Sequence, residues 1–237
     1  MSTADSSAVL PPDTDKLAEQ LRSSRLKQQL SATDALLSAG EPGIRVLLDF
    51  LKAVDPAAPP TVAGTIYQKL HRHESVAAQT FLADRLPQGV VELVSEPGLD
   101  YQPLQALLID QAYEEADRLT LQKLCELAGP AAVQRKWVYF TEVDSFPKAD
   151  LRTIDQLWRV YSEDKFGFSK QRELWLGLNR SWDRLWEKLA WKSGNIWTRY
   201  PGEFVWDLSA PDGHLPLSNQ LRGVRMMEFL LSHPAWD

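Results

Sequence analysis

Residues 150–191 read DLRTIDQLWRVYSEDKFGFSKQRELWLGLNRSWDRLWEKLAW, and the spacing of their apolar side chains decides the fold. Leu151, Ile154, Leu157, Trp158 and Tyr161 recur at the three- and four-residue steps of one helix face, with Asp150 as the expected N-cap. A tight turn, Lys165-Phe166-Gly167-Phe168-Ser169, follows, and Ser169 is expected to cap a helix bearing Leu174, Trp175 and Leu178. Ser181 is expected to cap a third, carrying Trp182, Leu185, Trp186, Leu189 and Trp191. Period-two alternation is nearly absent from the whole chain, so the fold expected is all-α.

Working outward, the same grammar holds upstream. Glu41-Pro42-Gly43 opens a helix with Ile44, Leu47, Leu48, Leu51 and Val54 in a stripe, and Asp55-Pro56 to Pro60 breaks it. Before it, Leu17, Leu21, Leu26, Leu30 and Leu36/Leu37 run to a stop at Ala39-Gly40. After it, Thr61–Arg72 and Glu74–Leu86 complete a set of short helical hairpins, similar in length and pairing to helical-repeat units. Beyond Ser95-Glu96-Pro97-Gly98, Tyr101, Leu104, Leu107 and Leu108 share a face, and a helix runs from Tyr113 to a Gly129-Pro130 stop. Residues 1–13, rich in Ser, Asp and Pro, read as a disordered leader, 14–94 as an N-terminal helical bundle, and 95–237 as a core domain.

Composition narrows the function. The net charge of −6 is spread along the chain, with 9 basic and 12 acidic residues in 1–98 and 17 and 20 in the rest, so a phosphate backbone would be repelled. A single cysteine, Cys125, leaves no internal disulfide and fits a reducing compartment. The first residues carry no secretory or transit pattern, and no stretch approaches the roughly 18 apolar residues of a membrane span. The expectation is a cytoplasmic protein.

All nine tryptophans lie after position 136, together with six Phe and three Tyr. From Ser193 to Ser218 the helical pattern stops, yet SGNIWTRYPGEFVWDLSAPDGHLPLS keeps Trp197, Tyr200, Phe204 and Trp206 among its Gly, Pro and Asp. Unstructured connections this long are uncommon, and the aromatic content marks this one as a binding wall. Ser218 is expected to cap a helix running from Asn219 to Met227, with Asn219, Arg222 and Arg225 along one side and Leu221 and Met226 flanking them. Two readings stand open for the arginines: they pair with Asp207, Asp212 or Glu228, or they address the carboxylates of a flat apolar ligand.

Leu99-Asp100-Tyr101, Glu115-Ala116-Asp117-Arg118-Leu119-Thr120, Ile154-Asp155-Gln156-Leu157-Trp158, Tyr161-Ser162, Phe166-Gly167-Phe168-Ser169 and Gly213-His214-Leu215-Pro216, in this order, closely resemble the genomes-uncoupled family of tetrapyrrole-binding regulators of magnesium chelatase. The resemblance spans roughly residues 95–237. It departs from the family at Tyr113, where a tryptophan often stands. The resemblance implies an all-helical core shaped like a cupped hand that binds protoporphyrin IX and Mg-protoporphyrin IX. It implies stimulation of magnesium chelatase in chlorophyll biosynthesis, through the large porphyrin-binding subunit and without catalysing insertion. By the same resemblance Phe140, Val143, Trp197, Arg199 and Phe204 form the pocket, and Asn219, Leu221, Arg222 and Arg225 its rim. A monomer of cyanobacterial type is expected, partly associated with photosynthetic membranes.

The residues speak against catalysis. No phosphate-binding Gly loop and no Ser or Cys nucleophile motif occurs. Glu114, Glu115 and Asp117 open a predicted helix, where carboxylates serve its dipole or salt bridges. His214 in Gly-His-Leu-Pro is expected to be held by hydrogen bonds rather than to ligate a metal, and His71 and His73 point to different sides of a helix. The alternative function is a helical protein-binding scaffold with no ligand of its own.

Overall fold

In the computed structural model the described residues are 13–217 and 224–237. Of the expected leader only Asp13 falls among them, where its carboxylate accepts the N–H groups of Asp15 and Lys16 and caps α1 (Thr14–Leu21). The hairpins follow as α2 (Leu26–Ser38), α3 (Glu41–Lys52), α4 (Thr61–His71) and α5 (Val76–Arg85). α2 and α3 approach backbone to backbone. A Cβ on Gly43 would lie 1.9 Å from the Leu36 carbonyl oxygen, so only glycine fits there.

Among the described residues the fold is all-α apart from one hairpin of two-residue strands. α6 (Gln102–Ile109), α7 (Tyr113–Ala128), α8 (Pro130–Arg135), α9 (Phe140–Val143), α10 (Lys148–Val160), α11 (Phe168–Gly177) and α12 (Trp182–Lys188) precede it. The strands β1 (Lys192–Ser193) and β2 (Ile196–Trp197) pair antiparallel, and α13 (Val224–Leu231) and a 3-10 turn at Pro234–Trp236 follow. α10 is the pillar, with Leu151, Ile154, Leu157 and Trp158 fully buried as their spacing demands.

One contiguous apolar core runs through the early hairpins and the later helices. α4 packs on α10 closely enough that a Cβ on Gly64 would fall 2.2 Å from the Val160 carbonyl oxygen. Buried hydrogen bonds fasten the same seam. Gln68 Nε2 donates to the carbonyls of Leu108 (2.9 Å) and Tyr161 (3.1 Å), and the Tyr161 hydroxyl accepts from Val90 N–H (2.9 Å) and donates to Gln105 Oε1 (2.8 Å).

The expected caps need correction. α10 starts at Lys148 after Pro147, and Asp150 lies buried inside its first turn. Its carboxylate instead accepts from Ser95 Oγ (2.6 Å), Glu96 N–H (3.0 Å) and Tyr101 OH (2.8 Å). α11 starts one residue before Ser169, after Gly167, and the Ser169 hydroxyl donates to Asp155 Oδ2 at 2.6 Å. Ser181 does precede α12, but no side-chain capping bond forms. Trp191 stands beyond α12, at the entry to the hairpin.

Candidate functional site

The expected wall, the segment from Ser193 on, rests on a tryptophan ladder that begins in α11 and α12. Trp182 and Trp186, one turn apart, stack with ring centres 5.3 Å apart, because i and i+4 share a helix face. Trp175 of α11 continues the stack on one side at 4.8 Å, and Trp191 on the other at 5.4 Å and 12° between planes. Trp197 of β2 leans on Trp186 at 5.8 Å. The ladder thus runs from the fully buried Trp191 to Trp197, which keeps 40% of its surface in solvent. Beyond it Tyr200, Phe204 and Trp206 pack on one another at 5.9–6.3 Å, with Tyr200 exposed and Phe204 buried.

His214 holds this segment. Its Nδ1–H donates to the Leu189 carbonyl (2.6 Å), its Nε2 accepts from Val205 N–H (3.3 Å), and its own carbonyl accepts from Trp191 Nε1–H (2.8 Å). The Phe204 ring lies 5.2 Å from the imidazole. These partners specify the neutral ring, and burial pushes its pKa below the usual histidine value, with the Leu189 bond opposing. A base with a lowered folded pKa contributes stability that is present above the unfolded value near 6.5 and is lost as pH falls through the folded value. Urea-unfolding free energy is therefore expected to drop from pH 7.5 to 5.5 more steeply in the native protein than in His214→Gln. Parallel curves would remove the histidine from this role.

A second group forms between α9 and α13. Phe140 packs on Phe229 at 5.1 Å, and the Arg225 guanidinium lies 5.3 Å from the Phe140 ring centre, a cation–π distance. Arg135 braces the approach to α9: it lies over Trp137 (5.0 Å) and Tyr139 (4.2 Å) and is ion-paired to Glu142.

The residues picked from sequence thus fall into separate roles. Phe140 and Arg225 meet each other; Trp197 and the exposed Arg199 sit on the hairpin side; Phe204 packs inward on His214. Val143 has no exposed surface, so it supports α9 from beneath and presents nothing to a ligand in this conformation. Asn219, Leu221 and Arg222 lie outside the described residues. Asp117, grouped in sequence with Glu114 and Glu115 as serving the helix dipole or a salt bridge, is instead turned inward: its Oδ1 accepts Leu217 N–H at 2.6 Å with 5% of its surface exposed.

A groove of about 560 Å³ lies on the seam, lined by Thr61, Arg152, Arg159, Arg172 and Trp236 among others. It contains none of the expected site residues. Its arginines are engaged: Arg159 with Asp164 (2.6 Å) and Glu173 (2.8 Å), Arg152 with the Ala235 carbonyl (2.8 Å), Arg172 with the Leu231 carbonyl (3.0 Å). Among the described residues no group of His, Cys, Asp and Glu is arranged to hold a metal ion.

The described residues thus form a helical body with partly exposed aromatic rings on an irregular segment and, between α9 and α13, an arginine on the face of a phenylalanine. The sequence pattern of the GUN4-like family matches residues 94–234, and that of an ARM-like repeat domain, the GUN4 N-terminal domain, matches 6–87. The chain belongs to the GUN4-like family. It is 51% identical over 223 residues to the Ycf53-like protein of Synechocystis sp., covering 94% of this chain and 96% of that one. It is 37% identical over 145 residues to the chloroplastic tetrapyrrole-binding protein of Arabidopsis thaliana, covering 57% of this chain and 55% of that one. Among solved structures, GUN4 from Chlamydomonas reinhardtii superposes with a TM-score of 0.58 at 39% identity, covering 62% of this chain and 96% of that one. Ligand-free Arabidopsis thaliana GUN4 gives 0.55 at 36% identity, with 61% and 99% covered.

Proposed function

We propose that the chain binds protoporphyrin IX and Mg-protoporphyrin IX and, so loaded, stimulates magnesium chelatase through its large porphyrin-binding subunit, without inserting the metal itself. The observation that carries the reading is the exposed aromatic edge at Trp197 and Tyr200, facing outward in a chain of the GUN4-like family. The macrocycle would lie against aromatic walls from the 197–206 segment and Phe140, and Arg199, Arg222 and Arg225 would take its propionates. Residues 14–94 are the repeat-type unit and 95–237 the binding unit. The protein acts as a monomer in the cytoplasm, partly at the surface of photosynthetic membranes; among the described residues no helix is long and apolar enough to cross one.

Magnitudes agree with a carrier. Burying on the order of 400 Å² of apolar macrocycle at about 25 cal/mol/Å² yields roughly 10 kcal/mol gross. Charged hydrogen bonds add about 1.5–3 kcal/mol each and association costs at least about 4 kcal/mol, which leaves a micromolar or somewhat tighter site.

The test is a tryptophan-quenching titration of the native protein and the Arg222→Ala/Arg225→Ala variant with protoporphyrin IX and with its dimethyl ester. The free acid is expected to bind the variant at least about tenfold more weakly, and the ester to change by less than about threefold. Equal losses for acid and ester would sink the arginine role. Chelatase assays with added protein then check stimulation. The repeat-type N-terminal unit favours a second reading, a protein-binding scaffold; native protein without any saturable quenching would put it in first place.

A further inference from the structure

The head of α7 carries Glu114-Glu115-Ala116-Asp117-Arg118, and its acids do not all serve one purpose. Glu114 is paired with Arg118 at the surface, as an i, i+4 couple. Asp117 turns inward, and the N–H it accepts belongs to Leu217, a hundred residues on. Leu217 is itself buried and ends a turn in which His214 and Leu215 are buried too. One residue further along α7, Arg118 interacts with the phenol of Tyr200. Adjacent residues of one helix therefore meet both segments that frame the proposed site. One is the aromatic stretch around Tyr200; the other is the stretch that ends at Leu217 and runs on in the chain to Asn219, Arg222 and Arg225.

A buried carboxylate is an expensive way to satisfy a backbone N–H. Desolvation opposes the charge, and an apolar residue in a rearranged turn would cost less. Burial pushes the Asp117 carboxyl up to about 7, against the pull of Leu217 N–H and Arg118, with Glu114 pushing the same way as burial. What the carboxylate supplies that an apolar side chain cannot is a fixed direction: one short bond to one N–H, made from a rigid helix.

We infer that Asp117 is a positioning residue for the tetrapyrrole site, fixing Leu217 and with it the end of the segment that carries Trp197, Tyr200, Phe204 and His214. The assignment rests on the tetrapyrrole reading above. Asp117 touches no ligand itself. Its effect on affinity passes through Leu217, so the side-chain oxygen matters and its charge does not.

Four full-length proteins test this: native, Asp117→Leu, Asp117→Asn, and Leu36→Ala as a control that loosens the N-terminal hairpins far from the site. Protoporphyrin IX affinity is measured by tryptophan quenching well below each melting temperature, with amide hydrogen exchange at Leu217 alongside. Asp117→Leu is expected to bind at least about tenfold more weakly and to exchange Leu217 faster, because its N–H has lost its acceptor. Asp117→Asn, which keeps the oxygen, should stay within about threefold of native. Leu36→Ala should lose melting temperature while keeping affinity and Leu217 protection. Native-like affinity in Asp117→Leu, or an equal loss in Leu36→Ala, would overturn the assignment. Asp117→Ala replaces Asp117→Leu if the latter does not fold. If the native protein itself takes up no porphyrin, the functional reading fails first, and unchanged Leu217 exchange in Asp117→Leu would separately overturn the positioning role.

Discussion

Trp191→Ala is expected to lower stability by about 3–5 kcal/mol, which for a chain of this size moves the melting temperature down by roughly 6–20 °C. The side chain has no exposed surface, and its removal deletes one end of the stacked ladder. The loss also exceeds packing. Trp191 Nε1–H donates to the His214 carbonyl at 2.8 Å, and the Trp191 carbonyl accepts Thr198 N–H at 3.0 Å, so the residue joins α12, the hairpin and the His214 turn. Trp191→Phe keeps a ring for the stack and drops the indole donor, and is expected to recover more than half of the loss. Thermal melts followed in the near-ultraviolet circular dichroism check both, since the stacked indoles report there. An alanine variant melting within 2 °C of native would refute the view of Trp191 as the strut beneath the exposed wall. Tetrapyrrole affinity should fall with it, because Trp197 stands on Trp186, and Trp186 on Trp191.

The ladder separates what the sequence reveals from what only the fold supplies. Trp182 and Trp186 sit at i and i+4 on a helix whose stripe is readable, so their contact follows from local geometry. Trp191 follows α12 and owes its place to the hairpin, which two-residue strands do not announce by any periodicity. The helices were legible because a 3.6-residue apolar stripe needs only its own neighbours, and α3, α4, α7 and α10 start and stop within three residues of the places their punctuation marks. Caps were less legible. A side-chain oxygen at a helix start competes for partners from the whole chain, and Ser169 finds Asp155 fourteen residues back while Ser181 finds no helix N–H.

The site divides in the same manner. An aromatic-rich segment without helical spacing is conspicuous in composition, and in the structure it carries the exposed Trp197 and Tyr200 and the hydrogen-bonded His214. Val143 illustrates the opposite case: α9 is a single turn, too short for a pattern to tell its inner face from its outer one, and the residue is buried. Asp117 looks in sequence like its neighbours Glu114 and Glu115. Only the approach of Leu217 sets it apart, and no spacing rule connects positions a hundred residues apart.

Asp150→Ala is the second large effect, expected to cost about 3–5 kcal/mol, because a fully buried carboxylate leaves three donors without an acceptor. The Tyr101 phenol is held well above its ordinary range, first by burial and then by the hydrogen bond to Asp150, so it remains a donor at every working pH and cannot adapt by ionising. Asp150→Asn keeps one carbonyl oxygen for Ser95 and Tyr101 but turns an N–H₂ toward Glu96 N–H, and is expected to lose less than half as much. The position matters because of what it fastens. Thr153, on the same helix, donates to the Val94 carbonyl at 2.8 Å, and Ser95 Oγ accepts Leu99 N–H at 2.8 Å, so residues 94–99 are laid along α10 bond by bond. That stretch connects the repeat-type hairpins to the helices that carry the aromatic wall. Without Asp150 it is expected to become the first site of limited proteolysis under native conditions, with cuts between 92 and 99 appearing before any in α7 or α10. Urea unfolding within about 1 kcal/mol of native, or cleavage that begins elsewhere, would mean that the two halves are joined by the α4–α10 seam alone. The expected result makes the connection a fixed bracket, and the N-terminal hairpins then keep a set orientation toward the site instead of swinging on a linker.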